Sequence, residues 1–331
     1  MVIFASGAIS RFFAALLALA VVSVAPICTA EVRHVHHRYG VTQITGAPER
    51  VVSLSFIGHD YLLGLGVVPI GVRYWYGDHR FGVWPWAQVA LGNAEPEVIY
   101  GTVDIEAIAL LEPDLIEAQW SGITKTEYRL LSQIAPTLAP PVGETHYSAS
   151  WQDMTRQIGI ALGKEPEALE QIASIEQRMS DIKEAHPQWL GQTAAVVWPS
   201  RITAYSSEDI RQQLLANLGF SPSEEVEAMA GPVGYSINIP QENLPAIDTN
   251  VLLWLTVSDP TQELARIKLH KYLRAHKEGR EIVVDPILSA AMSHSSPLAL
   301  NFVLDHLPPL LAAASDGDLS TPVPLPEGFG Q

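Results

Sequence analysis

The chain writes one helix–turn–strand pattern twice. Glu106-Ala-Ile108-Ala-Leu-Leu111-Glu-Pro-Asp114-Leu115-Ile116 runs from an acid through a short helix into a strand. Glu242-Asn-Leu244-Pro-Ala-Ile247-Asp-Thr-Asn250-Val251-Leu252 repeats that order at a constant offset. Leu62-Leu63-Gly64-Leu65-Gly66 is echoed loosely by Leu214-Leu215-Ala216-Asn217-Leu218-Gly219, each the end of a helix with a glycine stop. Such duplication implies two similar α/β lobes with a ligand held between them. Chance similarity among helix–turn–strand units is the competing reading.

Elements along the chain fit that plan. Strands at 51–55 and 67–72, a helix at 58–65, helix 104–111, strand 114–118 and helix 124–134 form a first lobe, residues 31–150. Strands alternating with helices imply a mainly parallel sheet. Residues 73–100 are an aromatic, Pro- and Gly-rich excursion, whose Tyr74, Trp75, Tyr76, Trp84 and Trp86 argue against plain disorder. A helical connection spans 151–186: Trp151 to Leu162, then a bridging helix over 166–185 of roughly 30 Å, about one domain diameter. An ordinary packing helix within one domain is the alternative. The second lobe, 187–314, is expected to hold strands 194–198, 250–255 and 281–284 and helices 208–218, 241–247, 261–276 and 297–313. The tail 315–331 is rich in Asp, Gly and Pro and is expected to be mobile.

Residues 1–30 read as a cleavable signal peptide. Arg11 is their only charge, Phe12 to Ala25 is apolar but shorter than the roughly 20 residues of a spanning helix, and Cys28-Thr29-Ala30 supplies small residues before a cut after Ala30. Cys28 invites lipidation, but Ile27 before it fits that poorly. Cleavage removes the one cysteine, which excludes disulfides and thiolate metal sites. The formal net charge of −16 argues against nucleic acid and anionic membrane surfaces as partners.

Ligands of open parallel sheets sit beyond the carboxyl ends of the strands. Those ends carry Arg73, Tyr74, Trp75, Trp120, Arg201, Tyr205 and His294. Aromatic faces with guanidinium groups suit a large, partly apolar ligand bearing oxygen acceptors. Packing between lobes is the alternative role for the aromatics, and surface ion pairing for the arginines. The chain has no G-x-S-x-G elbow, phosphate loop or H-E-x-x-H, and Pro69 stands where a dinucleotide fingerprint needs its third glycine. It is therefore read as a non-enzyme without a cofactor. His34, His36 and His37 can bind a divalent metal, with His34 and His36 on one strand face, or form a solvated segment. They are the basis of a competing reading as an exported metal-dependent enzyme. His59-Asp60 can pair as base and orienter, though a helix start suits the acid better. Glu106 and Glu242 each lie in the first turn of a helix, where a carboxylate complements the dipole. As a matched pair in equivalent lobes they can also grip two arginines on a symmetric partner.

The mature chain resembles the periplasmic substrate-binding proteins of ABC importers for ferric siderophores, haem and cobalamin. The resemblance rests on Glu49-Arg50-Val-Val-Ser-Leu with Leu65 to Gly71, on Asp104-Ile-Glu106 through Pro113-Asp114-Leu-Ile, and on Gly122-Ile-Thr through Tyr128 to Thr137. Trp151-Gln152 through Gly163 and Leu214 to Phe220 extend it, and Val83-Trp84-Pro85-Trp86-Ala87 favours the siderophore branch. It implies two Rossmann-like lobes joined by a long rigid helix, a periplasmic monomer, and a ferric siderophore held by the cleft loops. It also implies that Glu106 and Glu242 dock on a permease dimer. Direct iron coordination by Tyr74, Tyr205 or His294 is a lesser option, since iron accepts phenolate and imidazole. Haem or cobalamin is the alternative cargo. Phe56-Ile-Gly-His-Asp60 departs from the family, which more often has small hydroxyl residues there.

Overall fold

A computed structural model describes residues 1–2, 31–144, 147–232 and 234–325. Residues 3–30 of the expected signal peptide, Cys28 among them, and Ala30 at its expected cleavage site lie outside the described residues. The chain divides into two units, Met1–Glu31 and Val32–Gln331, and the helices and strands of the described residues belong to the second.

The unit opens with an antiparallel hairpin, β1 (Val32–His37) and β2 (Gly40–Thr45). Alternation sends Val35 and Ile44 inward and leaves His34 and His36 exposed on the other face. Then come β3 (Val51–Ser53), α1 (Gly58–Gly64), β4 (Gly71–Arg73), α2 (Pro85–Leu91), β5 (Glu97–Ile99), α3 (Ile105–Leu110), β6 (Leu115–Glu117), α4 (Lys125–Leu131) and β7 (Thr137–Leu138). These strands form an all-parallel sheet in the order β5-β4-β3-β6-β7. Their buried Val, Leu and Ile residues are the signature of strands covered on both faces. Caps fix the helix starts. Asp104 accepts from the backbone of Glu106 and Ala107, and Thr124 and Glu127 close a reciprocal capping box.

Two helices follow, α5 (Trp151–Leu162) and α6 (Glu165–Ala185). Gly163 ends α5 in the left-handed region (φ 71°), where a glycine pays no Cβ penalty. The second lobe contains β8 (Ala194–Trp198), β9 (Thr203–Tyr205), α7 (Ile210–Asn217), α8 (Glu224–Ala230), β10 (Ser236–Asn238), a 3-10 helix at Gln241–Ile247, β11 (Val251–Leu255), α9 (Pro260–Ala265), α10 (Arg274–Lys277), β12 (Glu281–Val284), α11 (Pro286–His294) and α12 (Pro297–Ser315). Its sheet runs β10-β9-β8-β11-β12, with β8, β11 and β12 parallel and β9 reversed.

Four expectations need revision. The helix expected at 261–276 is broken into α9, a 3-10 turn at His270–Tyr272 and α10, and Leu273, between the last two, takes extended ψ (142°) with its side chain buried. The helix at 241–247 is 3-10 with Pro245 inside it, and a proline removes an α-helical hydrogen bond. The excursion 73–100 is not a loop. It holds α2 and β5, and Leu63 with Val83, Ala87 and Leu91 gives it a small core. The tail does not start at Ser315, which is the last residue of α12 and accepts a 2.8 Å hydrogen bond from Trp189 Nε1.

The helix α6 packs on α5, α7 and α12, burying Ala168, Ile172, Ile175 and Met179. It is joined by a second tie. The helix α12 packs on α1 and α2 of the first lobe and on β11 and β12 of the second. Its apolar composition reflects this burial. One core cluster accordingly runs through both lobes, from Tyr61 and Leu62 to Leu253 and Val303.

Candidate functional site

A cleft of about 670 Å³ opens between the lobes. Its lining follows the carboxyl ends of the strands. Trp75, Tyr76 and Gly77 come after β4, Ser200 and Arg201 after β8, Val257 after β11 and Pro286 after β12. This is where open parallel sheets place ligands.

The aromatic wall belongs to the first lobe. Trp84 caps the start of α2 and stacks on Trp86 at 5.4 Å and 8°. Tyr76 meets Trp75 edge-on at 4.6 Å and Trp84 at 5.2 Å. Gly77 (φ 91°) lets these rings close. A Cβ there would lie 2.7 Å from the Trp84 ring.

The opposite wall sets polar and charged groups beside Trp198, Val257 and Pro286. Asp209 caps α7 and pairs with Arg211 at 2.7 Å, the two side chains being 5% and 12% exposed. The guanidinium lies 4.2 Å over the Tyr205 ring, and its Nε donates to Ser293 Oγ at 3.1 Å. Burial works against the Arg211 charge, but Asp209 and Tyr205 outweigh it and hold the group above its usual value. Burial also pushes Tyr76 up to about 12 and raises Tyr205, despite Arg211 nearby. Both phenols are neutral at pH 7. The turn between β8 and β9 puts Ser200 and Arg201 on the rim by holding Ile202 at φ 51°, a strained value for a β-branched residue.

The family model for periplasmic binding proteins matches residues 51–288. The chain belongs to the periplasmic binding protein family. This binding protein is 34% identical to a periplasmic solute binding protein from Mycobacterium smegmatis, with a TM-score of 0.76 over 86% of this chain and 99% of that one. It is 27% identical to Streptococcus pneumoniae PiaA, solved in complex with ferrichrome, with a TM-score of 0.72 over 86% and 99% of the two chains. The probable siderophore-binding lipoprotein YfiY of Bacillus subtilis is 28% identical over 90% of this chain and 96% of its own.

Of the residues singled out in the sequence, Trp75, Arg201 and Tyr205 line the cleft of the binding protein. Arg73, Tyr74, Trp120 and His294 are not among its lining residues. Arg73 donates to Gly101 O and Ser121 O within its own lobe and stacks on Phe56 at 4.2 Å. Tyr74 donates to Gly77 O at 2.9 Å, and Trp120 is buried against Tyr147. His294 lies under the aromatic wall, its ring 5.4 Å from Trp75 and 5.2 Å from Trp86. Its Nδ1 donates to Ala290 O at 2.8 Å, so Nε2 carries the lone pair, buried and without a hydrogen-bond partner. Burial lowers His294 to about 4.

Sequence reasoning missed Arg211 and Trp198 as cleft residues and placed Trp84 in the excursion, whereas Tyr76 and Ser293 fall in the strand-end loops 73–76 and 285–296 that it expects at the cleft. The available signal for Arg211 was Asp209 two residues earlier at a helix start, a spacing that places a cap and a cation together.

The other candidates are elsewhere. His34 and His36 are exposed on β1, while His37 is buried and bonded to Thr42 Oγ1 at 2.8 Å. Burial, then His36, lowers His37 to about 4. Asp60 lies inside α1, where its Oδ2 accepts from Trp86 Nε1, and the adjacent His59 is buried. Glu106 and Glu242 are exposed. Each follows the carboxyl end of an edge strand, β5 in one sheet and β10 in the other, so the two acids occupy corresponding corners of the two lobes.

Proposed function

We propose that this protein captures a ferric siderophore in the inter-lobe cleft and delivers it to the permease of an ABC importer. The observation that carries the reading is the cleft itself. One wall is Trp75, Tyr76 and Trp84, and the other offers Tyr205, Arg211 and the rim cation Arg201. Ring faces accept the apolar body of a chelate, and guanidinium groups meet its oxygen atoms. The ferrichrome bound by the pneumococcal relative and the siderophore named for the Bacillus relative support the same cargo.

The siderophore supplies the iron ligands in this reading. Tyr74 is committed to Gly77, and burial opposes ionisation of Tyr205. The cleft lining packs and hydrogen-bonds the chelate without reacting with it, so no catalytic step is assigned.

Glu106 and Glu242 serve as the docking pair for a permease dimer, supported by their exposure at matching corners. The chain works after export, as a monomer released by cleavage after Ala30. Uptake of radiolabelled ferric siderophore by a strain lacking its own binding protein tests the whole reading. Expression of this chain restores uptake, and failure with every ferric siderophore tried contradicts the proposal.

A further inference from the structure

The broken segment between α9 and β12 folds three metal-ligating side chains together. His270 lies in the 3-10 turn, His276 in α10, and Glu281 opens β12. Each offers one ligand atom, and these atoms all lie within 4.8 Å of one another. Glu281 sits between the imidazoles, with Oε1 2.7 Å from His270 Nε2 and Oε2 2.7 Å from His276 Nδ1. The two rings are 4.4 Å apart. Because Glu281 is at the amino end of β12, the group lies at the end of the sheet away from the cleft.

Two imidazole nitrogens and one carboxylate oxygen are the donor set of three-ligand zinc sites, which leave a fourth position to water. Ligand atoms around a tetrahedral zinc are about 3.3 Å apart for bonds near 2 Å. Each 2.7 Å nitrogen–oxygen separation would open by about half an ångström, and the two ring nitrogens, within 4.8 Å of each other, would close on the metal. The carboxylate is oriented from behind, since Trp254 Nε1 donates to Oε1 at 2.9 Å. Such outer hydrogen bonds fix ligand direction in metal centres. His276 is 43% exposed and Glu281 10%, so one side of the group is open to solvent.

Burial works to raise Glu281, but hydrogen bonds from His270, Trp254 and His276 outweigh it and hold the carboxyl below its usual range. Nearby cations are directed elsewhere. Arg280 pairs with Glu278 at 2.6 Å, Arg274 with Asp248 at 3.7 Å, and Lys271 and Lys277 lie against the Tyr272 ring.

We propose that His270, His276 and Glu281 form a binding site for a divalent transition metal of the zinc type, separate from the ligand cleft. Water completes the coordination on the side of His276.

Equilibrium dialysis of the full chain against zinc at neutral pH tests this. The parent carries His34→Asn and His36→Asn, which removes the exposed pair on β1 from the count. It takes up one zinc per chain, and zinc raises its Tm. His276→Ala, a change at an exposed position, weakens binding by at least about tenfold and abolishes the Tm shift. Equal zinc uptake by the parent and by a His276→Ala variant that circular dichroism shows to be folded overturns the assignment. Absence of saturable uptake by the parent overturns it as well, and reduces the group to a hydrogen-bonded clamp.

Discussion

Ser296 Oγ donates to Asp60 Oδ2 at 2.9 Å, joining the cap of α12 in the second lobe to α1 in the first. Trp86 Nε1 donates to the same oxygen at 2.6 Å. One buried carboxylate thus fastens the lobes under the aromatic wall. Asp60→Ala leaves the buried Ser296 hydroxyl and the partly buried Trp86 indole N–H without this acceptor, each costing up to about 1–3 kcal/mol. A drop of about 2–5 kcal/mol in denaturant-unfolding stability is expected. A loss below about half a kcal/mol would show that the two donors find other partners.

Gly77 has a narrower role. Gly77→Ala combines a positive φ with a Cβ 2.7 Å from Trp84. Stability should fall by about 1–3 kcal/mol, and the tryptophan emission of the free protein should shift because Trp84 must move. Unchanged emission in the folded variant would place the strain elsewhere.

Stability should also depend on pH through His294, which is 1% exposed. Its folded value is about 4 against an ordinary 6.5. Between those values the unfolded chain binds the proton and the folded one does not. The contribution is complete above pH 6.5 and is lost as pH falls toward 4, by about 3 kcal/mol in all. His37, also lowered to about 4, adds a loss of the same sign. Urea denaturation from about pH 7.5 to 4 measures the slope. His294→Phe should flatten it, and an unchanged slope would remove His294 as its source.

Glu106→Arg with Glu242→Arg should abolish siderophore uptake while leaving chelate affinity in solution within about twofold. Both acids are exposed and outside the cleft lining, and in the proposed docking two added cations would replace attraction to a basic permease surface with repulsion. Uptake at the parent rate would refute their docking role.

The parts legible in the sequence were those with strong local signals. The duplicated patterns each run from a short helix into a strand, α5 ends at its glycine, and β8 and β12 span the residues expected. What was hidden depends on distant partners. The strands β9 and β10 are three residues each, too short for a period, and pair only in the folded sheet. The broken 261–276 segment buries Leu273 and brings His270 and His276 onto Glu281, contacts with partners outside the helical pattern. Arg73 ends a strand as a cleft cation would, but three of its five N–H donors go to the carbonyls of Gly101 and Ser121 in its own lobe. Arg211 reaches the cleft from a helix, so a rule based on strand ends passes over it.

The most direct test is a tryptophan-fluorescence titration with a ferric hydroxamate, a ferric catecholate, haem and cobalamin. Trp75, Trp84 and Trp198 line the cleft and report on its contents. The account predicts saturable quenching by a ferric chelate, weakened in Arg201→Ala, whose side chain is on the exposed rim. No response to either ferric chelate, with a clear response to haem or cobalamin, would contradict it.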